Sequence, residues 1–585
     1  MILSALATSV GINLGLTVLL AAAYTLLRRR PPYVGVYSPR RPYAPPEPWL
    51  PAAWRRTEAD VHAAAGLDGV VFLRIFVFSI RVFAAAAVVG VGVLMPVNFM
   101  GDQLRQIDFS DLPNKSVDLF SVSNVQDGSN KLWLHFSAVY IITGITCYLL
   151  YYEYKYISGK RLEYFMTSKP LPQHFTVLVR AIPVTNGVSV SDAVDKFFKE
   201  YHSSTYLSHT VVHQTGKLRR LLNDAENICT KLANLKSVRR TSGDPPGKFL
   251  GIFGRNDLVG KYQKRLEDLE ENVRMEQSDT TRSRQLVTGY LPSVILHFLS
   301  SYVPSIMKLF STMQGFISVS GIERSACNKM LRFTIWSVFF ANVLTGSVLG
   351  QLEIFLDPKE IPKRLAVVVP AQASFFITYV VTSWTSIASE LTQTAALLFH
   401  LWGSCAKCCK RDESKPPSMH YHSEIPRVLL FGLLGLTYFI VSPLILPFVL
   451  VYFCLGYFIY RNQLFNVYSP KYDTGGRFWP IVHGGTIFSL VLMHVIAIGV
   501  FGLKKLPLAS SLLVPLPVLT LLFNEYCRNR FLPIFEAYST ESLIKKDREE
   551  ESKPEMAEFF SNLVNAYCDP AMKPIQHSSN SDDRT

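Results

Sequence analysis

Charged residues are scarce in this chain. Asp, Glu, Lys and Arg make up 18% of its 585 residues, whereas 49% are hydrophobic. A soluble chain of this length would usually carry about 25% charge. The mean hydropathy is +0.19, and the apolar residues gather in long runs, which is typical of an integral membrane protein. The composition therefore excludes an ordinary soluble domain.

Signatures of several other classes are also missing. The net charge is +14, but no aromatic-plus-basic motif accompanies it, so we predict no nucleic-acid partner. The nine cysteines are scattered, without the spacing of a disulfide framework. No phosphate loop, metalloprotease motif or Gly-x-Ser-x-Gly element occurs. We therefore predict neither an enzyme nor a cofactor or metal site.

The apolar runs predict an all-α polytopic membrane protein with about 10 spans. The first run has its basic residues, Arg28–Arg30, after it rather than before it. This polarity predicts an uncleaved span with an extracellular N-terminus rather than a secretory signal. The predicted spans cover residues 2–27, 72–98, 132–152, 286–310, 330–352, 365–400, 428–444, 445–460, 479–503 and 508–527.

Four regions follow from these spans and from the basic loops between them. Residues 1–165 form a three-span region with the extracellular loop 101–131, and residues 166–285 form a cytosolic domain. In that domain, Phe175–Ile182 is strand-like, and Ser191 and Asp192 predict a helix start before Ala193–Tyr201. Residues 286–527 form the main membrane region, and residues 528–585 form a cytosolic tail.

Counting crossings exposes a conflict in the predicted topology. The loop after Tyr152 and the loop with Arg324, Lys329 and Arg332 are both basic, so both should be cytosolic. An even number of crossings must separate them, but only the run 286–310 lies between. The crossing count therefore predicts that one helix is missing before Leu286, unless the run 286–310 is re-entrant or the half of the chain after it is inverted.

Two sets of residues suggest modification. Asn114 begins an Asn-Lys-Ser triplet in the extracellular loop, an acceptor pattern for N-glycosylation that also occurs by chance. Cys405, Cys408 and Cys409 lie next to a predicted span, so they are candidates for palmitoylation or plain thiols. Their spacing from His420 and His422 matches no common zinc finger.

Several motifs together resemble the OSCA family of hyperosmolality-gated, calcium-permeable channels. The resemblance extends from the first span to about Leu543. It is carried by Gly66–Arg74, Phe120–Asn124, Leu132–Trp133, Phe175–Pro183, Thr288–Pro292, Pro370–Phe376, Tyr460–Gln463, Asn466–Tyr468 and Phe478–Pro480.

The resemblance implies eleven spans, an anoctamin-like architecture, a cytosolic α+β domain of RNA-recognition type and a plasma-membrane homodimer. This chain departs from the family pattern between Arg284 and Leu286, where family members have further strands and a span. It therefore resembles a shortened form with an incomplete cytosolic domain and one span fewer. Heterodimers with full-length relatives are a further expectation.

The resemblance places the pore beside the run 365–400. Glu390 lies deep in this run, where a charge costs about 2.5 to 3.5 kcal/mol, so it should face water or a partner. Gln372 and Tyr379 share a helix face, and Ser386 and Ser389 add polar surface. Asn342 on the preceding span is a weaker candidate. The alternatives are interfacial or helix pairing for Glu390, ordinary helix–helix hydrogen bonding for the two serines, and packing for Asn342.

The predicted function is a mechanosensitive or osmosensitive, calcium-permeable, non-selective cation channel subunit. Membrane lipids and permeant cations, including calcium, are the expected partners. Two alternatives remain open, namely a non-conducting isoform that modulates full-length subunits and a lipid scramblase with a polar groove.

Overall fold

The computed structural model describes residues 3–30, 33–41, 47–106, 117–180, 182–183, 189–212, 295–316, 318–345, 361–394, 397–398 and 416–568, with a few single residues between 221 and 268. Its contacts divide the chain into two units. One unit contains residues 1–167 and 292–542, and the other contains residues 168–291 and 543–585.

The described residues form helices and no strands. The principal helices are α1 (Leu3–Leu27), α2 (Glu58–Val89), α3 (Leu132–Thr167), α4 (Val190–Tyr201), α5 (Ile295–Met313), α6 (Val319–Thr334), α7 (Ile361–Ala371), α8 (Ala373–Thr392), α9 (Tyr421–Val441), α10 (Ile445–Asn466), α11 (Trp479–Leu503), α12 (Pro507–Leu513), α13 (Pro515–Glu536), α14 (Thr540–Glu551) and α15 (Glu555–Leu563).

Two of these helices continue through π-helical segments. The helix α2 runs through Gly90–Leu94 into Met95–Phe99, and α6 runs through Ile335–Phe340 into Ala341–Thr345. The remaining helical segments are short and lie in connections, at Val34–Tyr37, Trp49–Arg55, Gln103–Gln106, Val117–Phe120, Val122–Asn124 and Pro172–His174.

Fewer spans are found in the described residues than the sequence predicts. Seven helical segments are long and apolar enough to cross a bilayer, or eight if α7 and α8 form one bent span. The predicted spans 286–310 and 330–352 are not among them. The helix α5 includes His297, Lys308 and several serines, and α6 begins with charged residues. Residues 286–294 and 346–352 lie outside the described part of the chain.

The long apolar run 428–460 forms two helices, α9 and α10. Both extend beyond the apolar run, since α9 begins at Tyr421 and α10 ends at Asn466. The added turns are polar in sequence, yet Asn462 and Gln463 are fully buried. Hydropathy underestimates these helices because it counts apolar side chains and ignores polar ones that find partners inside the bundle.

The described residues of the predicted strand Phe175–Ile182 do not form a strand. Residues 176–180 have no regular secondary structure, and no neighbouring strand is found among the described residues. An isolated strand leaves its backbone groups without ladder partners, so it is not stable alone. The Phe175 ring instead contacts Phe559 and Phe560 of α15, in the same unit. The predicted α+β character is therefore not seen in the described part of this unit.

Close helix packing in the first unit depends on two glycines. A methyl group at Gly435 of α9 would overlap the ring of Phe83 on α2. At Gly456 of α10 it would overlap the ring of Phe76. Small residues let helix backbones approach where apolar burial alone provides little driving force, as in a bilayer. These contacts hold α9 and α10 against α2.

A buried arginine fixes the end of α3. Arg161 is almost fully buried, and its guanidinium donates to the carbonyl oxygens of Ile534 (2.9 Å), Thr474 (3.4 Å) and Gly475. The loop before α11 is held from the other side by Asp68, which accepts hydrogen bonds from the backbone amides of Thr474 and Gly476. Side chains from α2 and α3 thus set the starting position of α11.

Candidate pore-lining site

The helix α8 carries four of the six predicted pore residues, with Gln372 directly before it, and belongs to the first unit. It packs against α1 and α10. Its axis is bent by 57° from that of α7. The break falls at Gln372, just after Pro370, which cannot donate an amide hydrogen bond and disturbs the preceding turn. The middle of α8, residues 382–386, contains no glycine and continues as regular helix without a bend.

A polar cavity of about 220 Å³ lies between α8, α9 and α10. It is lined by Tyr379, Thr382, Ser383, Ser386, Ile387, Arg427, Phe431 and Tyr452. The Tyr379 ring stacks on Phe431 with centroids 5.7 Å apart. The buried hydroxyl of Tyr452 has no hydrogen-bond partner in the described part of the chain. A cavity of this size and polarity can hold water molecules.

Two of the predicted residues share this cavity. Tyr379 and Ser386 are seven positions apart on α8, so they fall on one helix face two turns from each other. Ser389 lies about one turn beyond and donates to the carbonyl oxygen of Ser386. The cavity therefore has hydroxyl groups along one face of α8.

Glu390 has polar partners rather than standing alone. The hydroxyl of Tyr468 donates to its Oε2 at 3.2 Å. Nη1 of Arg427 lies 3.9 Å from Oε1 of Glu390 and 3.2 Å from Oε2 of Glu424. Glu424 also accepts a 2.6 Å hydrogen bond from Tyr460. The Glu390 side chain is 25% exposed, so two carboxylates share one guanidinium at the edge of the polar cavity.

The end of α8 is held by side-chain amides. The last carbonyl groups of a helix lack partners within it. Gln463 on α10 donates to the carbonyl oxygen of Glu390 at 2.7 Å, and Gln393 donates to the same oxygen at 3.0 Å. Gln393 has a φ of 44°, a left-handed conformation that is uncommon outside glycine. Its amide also donates to the Tyr468 hydroxyl at 3.1 Å.

A polar contact also joins α8 to the outermost helix. Thr385 donates to Oδ1 of Asn13 on α1 at 2.9 Å. Much of α1 presents large apolar side chains outward, including Ile12, Val18 and Leu19. Asn13 is thus a polar residue of an otherwise apolar helix that has a hydrogen-bond partner on α8.

The other predicted site residues are placed differently. Gln372 is half-buried at the α7–α8 break. Asn342 donates to the carbonyl oxygen of Val338 in its own helix at 2.6 Å and is not part of the cavity lining. Asn114 and the cysteines Cys405, Cys408 and Cys409 lie outside the described residues.

A second ionic cluster surrounds Glu323 near the start of α6, a helix that is not among the candidate spans. Nζ of Lys308 and Nδ1 of His422 each lie 2.6 Å from an oxygen of the Glu323 carboxylate. Burial would raise the pKa of Glu323, but His422 and Lys308 outweigh it and hold the pKa at about 2. The cluster ties α5, α6 and α9 together.

Sequence reasoning missed the partners that complete the Glu390 site. These are Arg427, Glu424, Tyr468, Gln463 and Gln393. Arg427 directly precedes the predicted span 428–444, a position where basic residues are common, so it gives no signal of a site. Tyr468 and Gln463 occur in motifs that carry the family resemblance, but the motifs themselves give no contact. Among the described residues, no group of three or more His, Cys, Asp or Glu is placed to hold a metal ion.

The helices and the polar cavity define a polytopic integral membrane protein. A family model described as the 7TM region of a calcium-dependent channel matches residues 262–501. A model described as late exocytosis, associated with Golgi transport, matches residues 5–153, and a model described as the cytosolic domain of a 10TM putative phosphate transporter matches residues 174–327.

Curated relatives extend these matches over the whole chain. Hyperosmolality-gated Ca²⁺ permeable channel 2.3 of Arabidopsis thaliana is 46% identical over 704 residues, covering 99% of each chain. Channel 2.2 of the same plant is 37% identical over 684 residues, covering 96% of this chain and 89% of the relative. The chain belongs to the family of hyperosmolality-gated Ca²⁺ permeable channels, as its motifs predict.

The alignment lengths can be compared with the prediction that a segment is missing before Leu286. The alignment with channel 2.3 runs over 704 residues, whereas the chain has 585. The relative therefore contains residues that have no counterpart here. This agrees with the prediction of a shortened form.

Proposed function

We propose that the chain is a subunit of a calcium-permeable, non-selective cation channel that opens under osmotic or mechanical stress. The relatives are named as hyperosmolality-gated Ca²⁺ permeable channels, and we extend that activity to this chain. The observation that carries the proposal is the hydroxyl-lined cavity on α8, with Glu390 one turn beyond Ser386. We further propose that the subunits pair as homodimers in the plasma membrane.

The cavity has the chemistry that a cation path requires. Hydroxyl groups can replace part of the hydration shell of an ion, and a carboxylate attracts it electrostatically. Arg427 opposes cation entry, but it lies closer to Glu424 than to Glu390. A small shift of α9 away from α8 would carry Arg427 and Glu424 together and free Glu390 for an ion. Membrane tension would favour this state if it occupies more area in the bilayer.

The test is patch recording under suction from liposomes that contain the purified chain. Glu390→Gln keeps the shape of the side chain and removes one charge. At about 4 Å and the dielectric of water that charge is worth about 1 kcal/mol, or roughly fivefold in calcium preference. We expect the reversal potential to show that loss of calcium over potassium permeability. Glu525→Gln is the matched control, because Glu525 is exposed and pairs with Arg528.

Two results would contradict the proposal. One is a silent bilayer with correctly inserted protein, and the other is an unchanged permeability ratio in Glu390→Gln. A fluorescent-lipid flip assay on the same liposomes tests scrambling, the alternative for a groove with polar lining.

A second candidate function is a non-conducting subunit that associates with full-length relatives. The observation that favours it is the excess of aligned length over chain length. Co-expression with a full-length relative should then change the current of that relative, and the two chains should co-purify. Unchanged current together with no co-purification would reject it.

A further inference from the structure

A second, larger cavity lies on the other side of the first unit. It has a volume of about 790 Å³ and opens between α6 with its π-helical continuation, α11 and α13. The side chains that line it change from basic to apolar along its length. Three guanidinium groups lie among the α6 and pre-α11 residues, and large apolar side chains follow along the helices. We call this cavity the α6–α11 groove.

The basic part of the groove is formed by Arg324 and Arg332 of α6 and by Arg477 just before α11. None of the three makes an ion pair with a described carboxylate. The buried Nε of Arg477 has no hydrogen-bond partner among those residues. Glu536 contributes one exposed carboxylate to the lining. Three guanidinium groups against one carboxylate leave the groove positively charged.

The apolar part consists mainly of aromatic side chains. Trp336 is 65% exposed, Phe488 is 40% exposed, and Phe340 lies beside them. No atom of another element lies within 4 Å of the position that a Cβ would take at Gly484, so the floor of the groove is open there. Exposed aromatic surface on membrane helices is suited to contact with acyl chains.

All three arginines belong to loops or helix ends that the charge distribution assigns to the cytosolic side. The groove is basic at the cytosolic side and apolar farther along. A phospholipid of the inner leaflet has the same order, with its phosphate at the cytosolic side and its acyl chains deeper in the membrane. Its volume is in the range of ligand sites, roughly 300 to 1,000 Å³. A protein helix in the same place would bury three arginines against apolar side chains unless it brought its own carboxylates.

We propose that the α6–α11 groove binds an anionic phospholipid of the inner leaflet. Its phosphate accepts hydrogen bonds from Arg332 and Arg477, with Arg324 adding charge, because guanidinium forks match phosphate oxygens. An acyl chain lies along Trp336, Phe340 and Phe488. This site is separate from the polar cavity on α8 and does not depend on the proposed ion conduction.

Trp336 provides a direct probe of occupancy. We would reconstitute the full chain with brominated phosphatidylglycerol or brominated phosphatidylcholine and measure tryptophan quenching. The Trp336→Phe variant supplies the signal of the other tryptophans. We expect stronger quenching of Trp336 by the anionic lipid. Removal of Arg332 or Arg477 by substitution with glutamine should lower the anionic preference about fivefold each.

Arg530→Gln is the matched control, since Arg530 lies on α13, contacts Tyr526 and is not part of the groove lining. It should leave the preference unchanged. In the unmodified chain, the preference should also fall as salt is raised. Equal quenching by both lipids, or a preference that neither salt nor arginine removal affects, would overturn the proposal.

Absence of quenching by either lipid would also overturn it and would indicate that protein fills the groove. A Trp336→Cys disulfide between two copies, or between this chain and a full-length relative, would then identify the occupant.

Discussion

Single buried polar residues determine much of the geometry in the first unit. Gln463, Arg161 and Asp68 each satisfy backbone groups at a helix end or loop. Glu153, fully buried on α3, pairs with Arg74 and Arg81 on α2. Such groups are costly in an apolar interior unless they are paired. Their partners therefore fix which helices can be neighbours.

Arg161 should be among the residues most sensitive to substitution. Arg161→Met would leave the carbonyl oxygens of Ile534, Thr474 and Gly475 buried without a donor. We expect a loss of about 2 to 4 kcal/mol in stability, measured by thermal or denaturant unfolding in detergent. Lys160→Met is the control, because Lys160 is exposed and pairs with Glu163. It should change stability by no more than about 0.5 kcal/mol.

At the scale of helices, packing against α2 decides where α9 and α10 lie. We predict that Gly435→Ala lowers stability by about 1 to 3 kcal/mol, because the added methyl meets the Phe83 ring. Gly432→Ala, one turn earlier on α9, has open space and should be neutral or slightly stabilising. Unfolding of both variants in the same detergent checks the difference. Equal effects would mean that the Phe83 contact does not hold the helices together.

The Glu323 cluster makes a prediction about pH. The folded-state pKa of Glu323 is about 2, below its ordinary value of 4.5. The ionised Glu323 carboxylate therefore stabilises the folded chain above pH 4.5, and this stabilisation is lost as the pH falls toward 2. Its upper bound is about 3 kcal/mol.

The measurement compares unfolding of the wild-type chain with that of Glu323→Gln across this range. The wild type should be more stable at neutral pH, and the gap should narrow between about pH 5 and pH 2. A gap that stays constant with pH would show that Glu323 does not act through its charge.

The sequence predicts elements with strong apolar periodicity or clear caps. The helix predicted over Ala193–Tyr201 is found at Val190–Tyr201, but its predicted start at Ser191 and Asp192 is wrong, because the side chain of Ser189 caps the helix by accepting from the Asp192 amide. The run 428–460 was expected to be two helices and is α9 and α10. The prediction of a strand at Phe175 was wrong, because β-propensity does not indicate whether a partner strand is present.

The Glu390 site was predictable only in part. A carboxylate inside an apolar run is visible in the sequence, and so is the hydroxyl-rich face of α8. Its partners come from α9, α10 and the residues after α10. These are distant in sequence, and their polar side chains resemble span flanks until the fold brings them together.

At the scale of the whole molecule, α5 affects the predicted number of membrane crossings between α3 and α6. The parity conflict requires an even number of crossings between α3 and α6. The helix α5, the only described helix in the first unit between them, is not among the candidate spans. We therefore predict that the end of α3 and the start of α6 face the same side of the membrane.

Cysteine labelling with an impermeant maleimide tests this topology. The background chain should have serine in place of Cys405, Cys408, Cys409 and Cys568. Lys160→Cys and Ser320→Cys, both at partly exposed positions, should then react only after the membrane is permeabilised. External labelling at position 320 alone would show that the chain crosses the bilayer between them.

The hydrogen bond between Thr385 and Asn13 has a mechanical meaning. The helix α1 faces lipid over much of its surface, whereas α8 lies inside the bundle, fixed at one end by Gln463 and bent at the other near Pro370. No water in the hydrocarbon can replace this bond at low cost. A sideways pull on α1 must therefore either break it or drag the middle of α8 outward, between its anchored end and its joint.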